Sequence, residues 1–329
     1  MTGRYRAALC TALEGPAAIQ AGWLAAPALG ENEVRIAVRA AGVNFPDLLM
    51  TYGKYQFRPD PPFVPGMEIA GEVLEAGKGV KGIKPGDRVM AGAKTGGFAE
   101  QMVVPETAIM PLPSALGFEE GACWRSAATT AWHALHDRAA ILPNETVLVL
   151  GASGGVGMAA VKLAKHLGAI VIGTGSTEGK RTAIIAAGAD HALDPAAPDL
   201  ADQVKALTAG KGTGVVFDPV GGPLSIKATR AIGWGGRFLI VGFASGEIPS
   251  FPANHALIKG YTLIGLRAGE ANRRDPALAR QTAAALTELA GKGVMRPHIS
   301  RRFTLENVAK ALHALQDRSI IGRAVIVMP

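Results

Sequence analysis

Cysteine, aromatic residues, long apolar runs and clustered cations are all scarce in this chain. The 329 residues include two cysteines, too few for a disulfide framework, so we expect a reducing compartment such as the cytoplasm. No apolar run approaches the roughly 20 residues of a membrane span, and the first residues lack the apolar segment of a signal peptide. Dispersed basic residues and 5% aromatics argue against nucleic-acid binding, although the net charge is +7.

Apolar residues and glycine are abundant. The hydrophobic fraction is 48% and 42 residues are glycine, which favours a large core with many tight turns. The length fits about two domains. A cofactor that carries several phosphates would suit the positive charge of the chain.

The pattern of apolar residues changes near residue 119. Before it, short apolar runs alternate with Gly and Pro, which predicts a β-rich domain with strands at 33–43, 68–77, 87–92 and 98–104. After it, predicted strands alternate with helical segments, and they are found at 146–150, 170–173, 214–218, 236–242 and 261–266. This alternation predicts an α/β fold with a parallel, doubly wound sheet. Helices at 276–291 and 305–316 and a last strand are predicted to end the chain.

Residues 146–169, "TVLVLGASGGVGMAAVKLAKHLGA", form a predicted strand, a glycine turn and a helix in that order. In the dinucleotide-binding frame G-x-G-x-x-G the three positions are Ala152, Gly154 and Gly157, so the first glycine is replaced. Gly154 would let a pyrophosphate approach the backbone, and Gly157 would let the helix pack on the strand. The free N–H groups at the helix start favour phosphate, so we interpret the turn as a dinucleotide site.

The end of the next predicted strand lacks the acidic residue that usually binds the adenosine ribose. Gly175 and Ser176 stand at this place, and Lys180 and Arg181 follow. A small residue, a hydroxyl group and cations suit a 2′-phosphate better than a ribose diol. The sequence therefore predicts NADP(H) as the cofactor.

Several segments resemble the zinc-independent NADPH:quinone oxidoreductase family of the medium-chain dehydrogenase/reductase superfamily. They are "AAGVNFPDLLMTYGKYQ", "PFVPGMEIAGEV", "VKGIKPGDRV", "GASGGVGMAAVKLAKHLGA" and "VFDPVGG", in this order along the chain. The resemblance implies a GroES-like β-rich catalytic domain into which a Rossmann domain is inserted. We place the catalytic domain at 1–122 and 266–329 and the NADP-binding Rossmann domain at 123–265.

Zinc-binding members of the superfamily place metal ligands at positions that match Asn44, Met67 and Ser126 here. None of these is a usual zinc ligand, and a catalytic zinc site needs about three ligands from the protein. Cys123 lies near the third position and is interpreted as a small buried residue. Asp47 and Glu68 remain in the same region, and we prefer an internal polar network to a metal site for them.

Without a metal, no Lewis acid polarises the acceptor, so the hydride acceptor has to be electron-poor, such as a quinone or an α,β-unsaturated carbonyl. Asn44 is a candidate hydrogen-bond donor to its oxygen. Tyr55 matches a tyrosine of the family's substrate cleft and is either a residue that orients the acceptor or a packing residue. Tyr52 has a weaker claim. A family arginine is replaced by Thr51, so its role is not carried over.

The resemblance and the glycine turn together give a set of candidate cofactor-binding residues. They are Thr130, Ala152, Ser153, Gly154, Gly155, Val156, Gly157, Gly175, Ser176, Lys180, Gly242, Phe243, Ala244, Leu266 and Arg318. Within this set, Lys180 and Arg318 match positions that bind the 2′-phosphate. Pro195 stands where some relatives have an aromatic or basic residue, so the phosphate pocket is expected to have fewer contacts. His133 and His136 are interpreted as surface residues.

The sequence thus predicts a metal-free oxidoreductase that transfers hydride from NADPH to a quinone or a related conjugated carbonyl. Two alternatives stay open: an enoyl or alkenal double-bond reductase, and an NADPH-bound structural or RNA-binding protein of low turnover. The partners we expect are a small-molecule acceptor and a second copy of the chain. The segment "YTLIGL" is a plausible edge strand for a homodimer, because an exposed apolar edge tends to be paired.

Overall fold

The computed structural model describes residues 3–329. The strands are short, and many of them are bounded by glycine or proline, as the sequence predicts. They are β1 (Arg4–Cys10), β2 (Ile19–Ala25), β3 (Glu33–Gly42), β4 (Glu68–Ala76), β5 (Arg88–Gly92), β6 (Gln101–Pro105), β7 (Ile109–Pro111), β8 (Thr146–Val149), β9 (Ile170–Thr174), β10 (His191–Leu193), β11 (Thr213–Asp218), β12 (Ile232–Ile240), β13 (Thr262–Gly265), β14 (Ile299–Thr304) and β15 (Arg323–Val327).

The helices are concentrated after residue 117. They are α1 (Phe45–Thr51), α2 (Phe118–Trp132), α3 (Gly155–His166), α4 (Glu178–Ala186), α5 (Leu200–Leu207), α6 (Gly222–Ala231), α7 (Ala253–Lys259), α8 (Ala268–Arg274), α9 (Pro276–Gly291) and α10 (Val308–Gln316). A π-helical turn, His133–Arg138, continues α2. None of the helices described between residues 3 and 329 is both long and apolar enough to cross a membrane.

The backbone divides into two compact units. One contains the residues up to Arg125 and those from Ala290 onward, and the other is Ser126–Leu289. The prediction had placed the second boundary after residue 265. Residues 266–289, which form α8 and most of α9, instead belong to the second unit, which contains the parallel sheet.

The first unit is built around β3. This strand pairs with β4, β6 and β15, all antiparallel. Six of the seven strands of its sheet follow the order β14-β15-β3-β4-β5-β7, and the seventh, β6, pairs with β3 outside this order. Val34, Ile36 and Val38 alternate with less buried residues along β3, so one face of the strand is in the core. The strands β1 and β2 form a separate antiparallel pair. The predicted β-rich domain is confirmed.

The second unit is a six-stranded parallel sheet of order β10-β9-β8-β11-β12-β13. The order reverses between β8 and β11, which is the arrangement of a doubly wound dinucleotide-binding sheet. Val147, Leu148 and Val149 of β8 have no exposed surface, as expected for a central parallel strand. The predicted α/β fold class is confirmed.

Candidate active site

The glycine turn lies between β8 and α3, as predicted, and the end of β9 holds it. The N–H of Gly151 donates to Thr174 Oγ1 at 3.0 Å, and the N–H of Ala152 donates to Thr174 O at 3.1 Å. Gly151 has a φ of +57°, a conformation that glycine adopts without a steric penalty. A Cβ at Gly157 would overlap the carbonyl oxygen of Gly151. Only glycine therefore lets α3 begin this close to the turn.

Gly154 has a different environment from Gly157. It precedes the first residue of α3, and a Cβ added to it would meet no atom closer than Gly151 O at 3.5 Å. The space over Gly154 is therefore open toward the start of the helix. The first N–H groups of an α-helix have no partner within the helix, so this opening presents donors to an anionic group such as a pyrophosphate.

The turn lies at the switch point of the sheet, where the loop after β11 also begins. Asp218 ends β11, and its Oδ1 accepts from the N–H groups of Val220 at 2.8 Å and Gly221 at 3.0 Å. Its Oδ2 accepts a short hydrogen bond from Ser225 Oγ. Burial raises the pKa of Asp218, although these hydrogen bonds favour the charged form. The carboxylate thus fixes the loop that follows β11.

Three predicted cofactor residues lie on the loop after β12, which is hydrogen-bonded to the loop after β11. The N–H of Gly242 donates to Asp218 O at 3.3 Å, and the N–H of Ala244 donates to Pro219 O at 3.0 Å. Between them, Phe243 is 36% exposed. Leu266, just past β13, donates its N–H to Ile240 O at 3.0 Å. The carboxyl ends of β8, β11, β12 and β13 therefore share one edge, where ligands of such sheets bind.

The end of β9 has no carboxylate of its own but has two cations nearby. Lys180 Nζ donates to Ser176 Oγ at 3.4 Å, and Arg181 Nη1 donates to Gly175 O at 3.0 Å. Both cations are on α4, whose first turn is capped by the Thr177 hydroxyl. Ser176, Lys180 and Arg181 therefore lie together at the end of β9, and their binding of a 2′-phosphate stays a prediction. Asp194, at the end of the neighbouring strand β10, lies 3.6 Å from Arg181 and was not anticipated.

The first unit contains a buried polar network that joins β3, α1, β4 and β15. Asn44 follows β3, and its Nδ2 donates to Glu68 Oε1 at 3.0 Å and to Gly42 O at 3.3 Å. Arg323 donates to Asn44 Oδ1 at 2.9 Å and forms a short ion pair with Glu68. Asn44, Glu68 and Arg323 are each at most 6% exposed. The guanidinium and the carboxylate therefore neutralise one another inside the unit.

Asp47 belongs to the same network, and its carboxylate holds two separate backbone segments in place. Its two oxygens accept from the N–H of Asn44 at 2.8 Å and the N–H of Gly66 at 3.1 Å. Burial, with the nearby charge of Glu68, raises the pKa of Asp47 to about 7. The predicted internal polar network of Asp47 and Glu68 is confirmed, and Arg323 is its unpredicted third charge.

Comparisons with known proteins agree with both units. The family described as "Alcohol dehydrogenase GroES-like domain" matches residues 30–114, and that described as "Zinc-binding dehydrogenase" matches 155–284. The chain is 39% identical to the quinone oxidoreductase-like protein 2 homolog of Nematostella vectensis, over 99% of this chain and 90% of that protein. The chain belongs to the quinone oxidoreductase-like members of the medium-chain dehydrogenase/reductase superfamily.

Solved structures show the same similarity. The quinone oxidoreductase of Pseudomonas syringae matches with a TM-score of 0.90 and 28% identity, over 98% of this chain and 99% of that one. The Escherichia coli quinone oxidoreductase complexed with NADPH matches with a TM-score of 0.89 and 27% identity, with the same two coverages of 98% and 99%. The protein is an oxidoreductase of this superfamily, and its Rossmann-type fold implies a nicotinamide cofactor.

Zinc, which the name of one family suggests, does not fit the residues of the buried network. The Asn44 amide is fully hydrogen-bonded, and the guanidinium of Arg323 already provides the positive charge beside Glu68. Cys123 is buried, which raises the pKa of its thiol to about 12 and disfavours the thiolate that binds metals. Residues 3–329 contain no group of three or more His, Cys, Asp or Glu side chains placed to hold a metal ion.

The predicted catalytic residues all lie in the first unit, and their roles stay predictions. Both amide hydrogens of Asn44 are hydrogen-bonded. The bond to Gly42 O, at 3.3 Å, is the longer of the two and is easier to replace by a bond to an acceptor molecule. Tyr55 packs against a cluster that includes Cys10 and Met50, so at least part of its role is packing. Tyr52 donates its hydroxyl to Gln316 Oε1 at 3.2 Å.

Two other predicted cofactor residues lie outside the loops described above, and their roles stay predictions. Thr130 is on α2, and its hydroxyl donates to Ser126 O at 2.9 Å within that helix. Arg318 follows α10 in the first unit. The surface interpretation of the two histidines is wrong for His133, which is 6% exposed and shares the carboxylate of Asp137 with His136.

Arg323, Asp218 and Asp194 were missed as functional candidates. Arg323 was detectable as a lone cation in an apolar strand, because such a residue needs a buried partner. Asp218 was detectable as a carboxylate at the end of a mostly apolar strand. Asp194 gave no such signal, because its importance depends on the pairing of β10 with β9.

Proposed function

We propose that the protein is a metal-free, NADPH-dependent reductase of quinones or related conjugated carbonyls. The observation that carries this proposal is the buried network of Asn44, Glu68 and Arg323, in which a guanidinium stands beside the side chain that replaces a zinc ligand. A zinc ion at this place would be repelled by the guanidinium of Arg323 and would have to displace the hydrogen bonds of Asn44. Since no metal polarises the acceptor, an acceptor that is already electron-poor is favoured.

The cofactor preference rests on the end of β9. Gly175 brings no carboxylate that would repel a phosphate, while Ser176, Lys180 and Arg181 offer a hydroxyl and two cations. Charge-assisted hydrogen bonds of this kind are about twice as strong as neutral ones. The similar quinone oxidoreductase of Escherichia coli was solved in complex with NADPH, which supports the same choice.

The residues of this chain bind and orient the reactants. A reduced nicotinamide, when bound, supplies the hydride, and a proton from solvent or from Tyr55 completes the reduction of a quinone to its hydroquinone. The turn from Gly151 to Gly157 holds the pyrophosphate through backbone N–H groups, and the loop around Phe243 borders the nicotinamide. Asn44 and Tyr55 orient the acceptor, and the Asn44 amide is held in one orientation by Arg323.

The test is the oxidation of NADPH by the purified protein with a panel of acceptors. The panel contains 1,4-benzoquinone, 9,10-phenanthrenequinone, an alkenal and an enoyl thioester. We expect the highest kcat/KM with a quinone. A higher kcat/KM with the alkenal or thioester would favour a double-bond reductase, and absence of turnover with every acceptor would contradict the proposed activity.

We propose in addition that two copies of the chain assemble through the edge of the parallel sheet. The strand β13 is the last in the sheet order and pairs with β12 on one side. Nearby in sequence, Leu257 is 81% exposed and Leu263 is 39% exposed. Trp234, close to Gly260, is 83% exposed. Light scattering should give about twice the chain mass of 33.9 kDa, and a mass of one chain at micromolar concentration would contradict the dimer.

Both cysteines are free and buried, which supports the proposal of a reducing compartment such as the cytoplasm. Fractionation of cells that express the tagged chain would test this location. Recovery with a cytoplasmic marker is expected, and recovery with a secreted fraction would contradict it.

A further inference from the structure

An ion pair lies at the place where the sequence predicted only cations. Arg181 donates to Gly175 O at 3.0 Å, and its Nη1 is 3.6 Å from Asp194 Oδ2. The side chains of Arg181 and Asp194 are 30% and 44% exposed, so the pair is in reach of a ligand at this surface. The carboxylate that β9 lacks is therefore provided close by, from the end of the neighbouring strand β10.

Asp194 is held in place by the backbone around it. Its Oδ1 accepts from the N–H of Ala196 at 2.8 Å. Lys227 Nζ donates to Ala197 O at 3.2 Å, and Gly175 donates its N–H to Leu193 O at 3.0 Å. These bonds tie the segment that bears Asp194 to β9 and to α6. The carboxylate therefore faces Arg181 from a fixed position.

We propose that Asp194 determines cofactor specificity by acting as the counter-ion of Arg181, and that it reduces the preference for NADPH over NADH. The inference rests on the proposed NADPH site. A 2′-phosphate beside Lys180 and Arg181 has to share the guanidinium with Asp194, and the two anions repel each other. The ribose diol of NADH carries no charge and does not compete. Removal of the carboxylate therefore strengthens the binding of NADPH alone.

The expected effect is moderate, because the ion pair is partly exposed and is screened by water and salt. Substitution of Asp194→Asn should lower the Kd for NADPH about three- to fivefold and leave the Kd for NADH within about twofold. The gain should shrink between 20 mM and 500 mM salt, because the Debye length falls from roughly 20 Å to about 4 Å over this range. Titration of cofactor fluorescence on the purified full-length chain measures both constants.

Two further variants separate the mechanism from a general change of charge. In the Arg181→Gln background, Asp194→Asn should improve NADPH binding less than it does in the wild type, because only the direct repulsion between the two anions remains to be relieved. Asp202→Asn removes the same charge from α5, where Asp202 pairs with Lys205 at 3.2 Å, and should leave the ratio of the two Kd values unchanged.

An unchanged ratio in Asp194→Asn, a weaker binding of NADH, or an effect that is undiminished without Arg181 would overturn the inference. An equal effect in Asp202→Asn would also overturn it, because the response would then reflect net charge. The proposed function fails in a different way, since a wild-type protein that binds neither dinucleotide would contradict the cofactor site itself.

Discussion

Each unit contains a buried aspartate that accepts hydrogen bonds from two backbone N–H groups, but the surroundings of the two differ. Asp47 lies in a network with Glu68 and Arg323, whose charges act on it. Asp218 is surrounded by Ser225 and backbone N–H groups. Burial raises the pKa of both. Burial is the largest cause in both units, and neighbouring charges contribute only in the first unit, whereas the other contributors in the second unit are neutral donors.

The charged groups of the two units should therefore affect different properties, which are folding in the first unit and cofactor binding in the second. The network around Arg323 is enclosed, so a change in its charges should mainly affect folding. The edge that carries Asp218, the glycine turn and Lys180 is partly open, so a change there should mainly affect the binding of the cofactor. The predictions below sharpen this contrast, from the largest expected effect to the smallest.

The largest effect is expected for Arg323→Ala, which leaves the carboxylate of Glu68 buried without a counter-ion. Breaking one side of a buried pair costs about 3–5 kcal/mol in the free energy of unfolding. Urea unfolding measures it, with Arg302→Ala as the control. Arg302 pairs with Glu119 at 2.8 Å but is 57% exposed, so its loss should cost about 1 kcal/mol or less.

The double variant Glu68→Leu with Arg323→Met should recover part of the stability, because no unpaired charge remains. If Arg323→Ala lowers the free energy of unfolding no more than Arg302→Ala does, the buried ion pair is not a major contributor to the stability of the unit.

In the open edge, Lys180→Ala should weaken NADPH binding about 10- to 100-fold, since a hydrogen bond to a charged group is worth roughly 1.5–3 kcal/mol. NADH should hardly respond. Lys205→Ala, at an exposed pair on α5, is the control and should change neither affinity. Equal losses for the two cofactors in Lys180→Ala would show that this lysine does not bind the 2′-phosphate.

The substitution Gly175→Asp would add the missing carboxylate, but it would also crowd the end of β9. A Cβ at Gly175 would lie 2.8 Å from Ile184 Cδ1 and 3.2 Å from Lys180 Cβ, so these side chains have to move. We expect NADPH binding to weaken, but the gain in NADH binding to be reduced by the crowding. Lys180→Ala is therefore the sharper test of the site.

Asp47 should make stability depend on pH. Its pKa is about 7 in the fold against a reference value of 3.8, so the folded protein holds the proton more strongly than the unfolded chain. The stabilisation is complete below the unfolded pKa and is lost as the pH rises through 7, with a slope of at most about 1.4 kcal/mol per pH unit. Urea unfolding of the wild type and Asp47→Asn between pH 4.5 and 8 measures the difference.

The free energy of unfolding of the wild type minus that of Asp47→Asn should decrease with pH. Asp218→Asn, the matched change in the other unit, should show the same sign, because burial also raises the pKa of Asp218. Parallel pH profiles for the wild type and Asp47→Asn would contradict a proton held at Asp47.

The smallest effect is expected for Tyr55→Phe, which keeps the packing of the ring against Cys10 and Met50 and removes the hydroxyl. If the hydroxyl orients the acceptor, kcat should fall about two- to tenfold while the Kd for NADPH is unchanged. Tyr5→Phe, which removes a hydroxyl from β1 in the same unit, is the control. Unchanged kinetics with several quinones would assign Tyr55 to packing alone.

The sequence predicted the parallel sheet well because its strands are continuous apolar runs, such as β8 and β11, followed by glycine turns. It did not predict β2 or β14, whose residues are exposed or only partly buried, nor β1, of which only Ala7, Ala8 and Cys10 are buried. The strand β10, of three partly exposed residues, was also missed. The spacing of apolar residues reveals a strand only where one of its faces is buried, and few residues of these strands are buried.

The same limit applies to the candidate sites. Gly154 and Gly157 were predictable because the strand, turn and helix around them have a local signature in the sequence. The ion pairs of Arg323 with Glu68 and of Arg181 with Asp194 were not, because their partners are 255 and 13 residues apart in the chain and meet only through strand pairing. Long-range pairing of charges has no local signature in the sequence.

The most direct test of the central claim is the rate of NADPH oxidation with a quinone by protein that has been treated exhaustively with a chelator and assayed for zinc. A metal-free, NADPH-dependent reductase should keep its full kcat/KM at a zinc content far below one per chain, and its kcat/KM for NADPH should exceed that for NADH. Loss of the activity on chelation, with recovery on addition of zinc, would contradict the account.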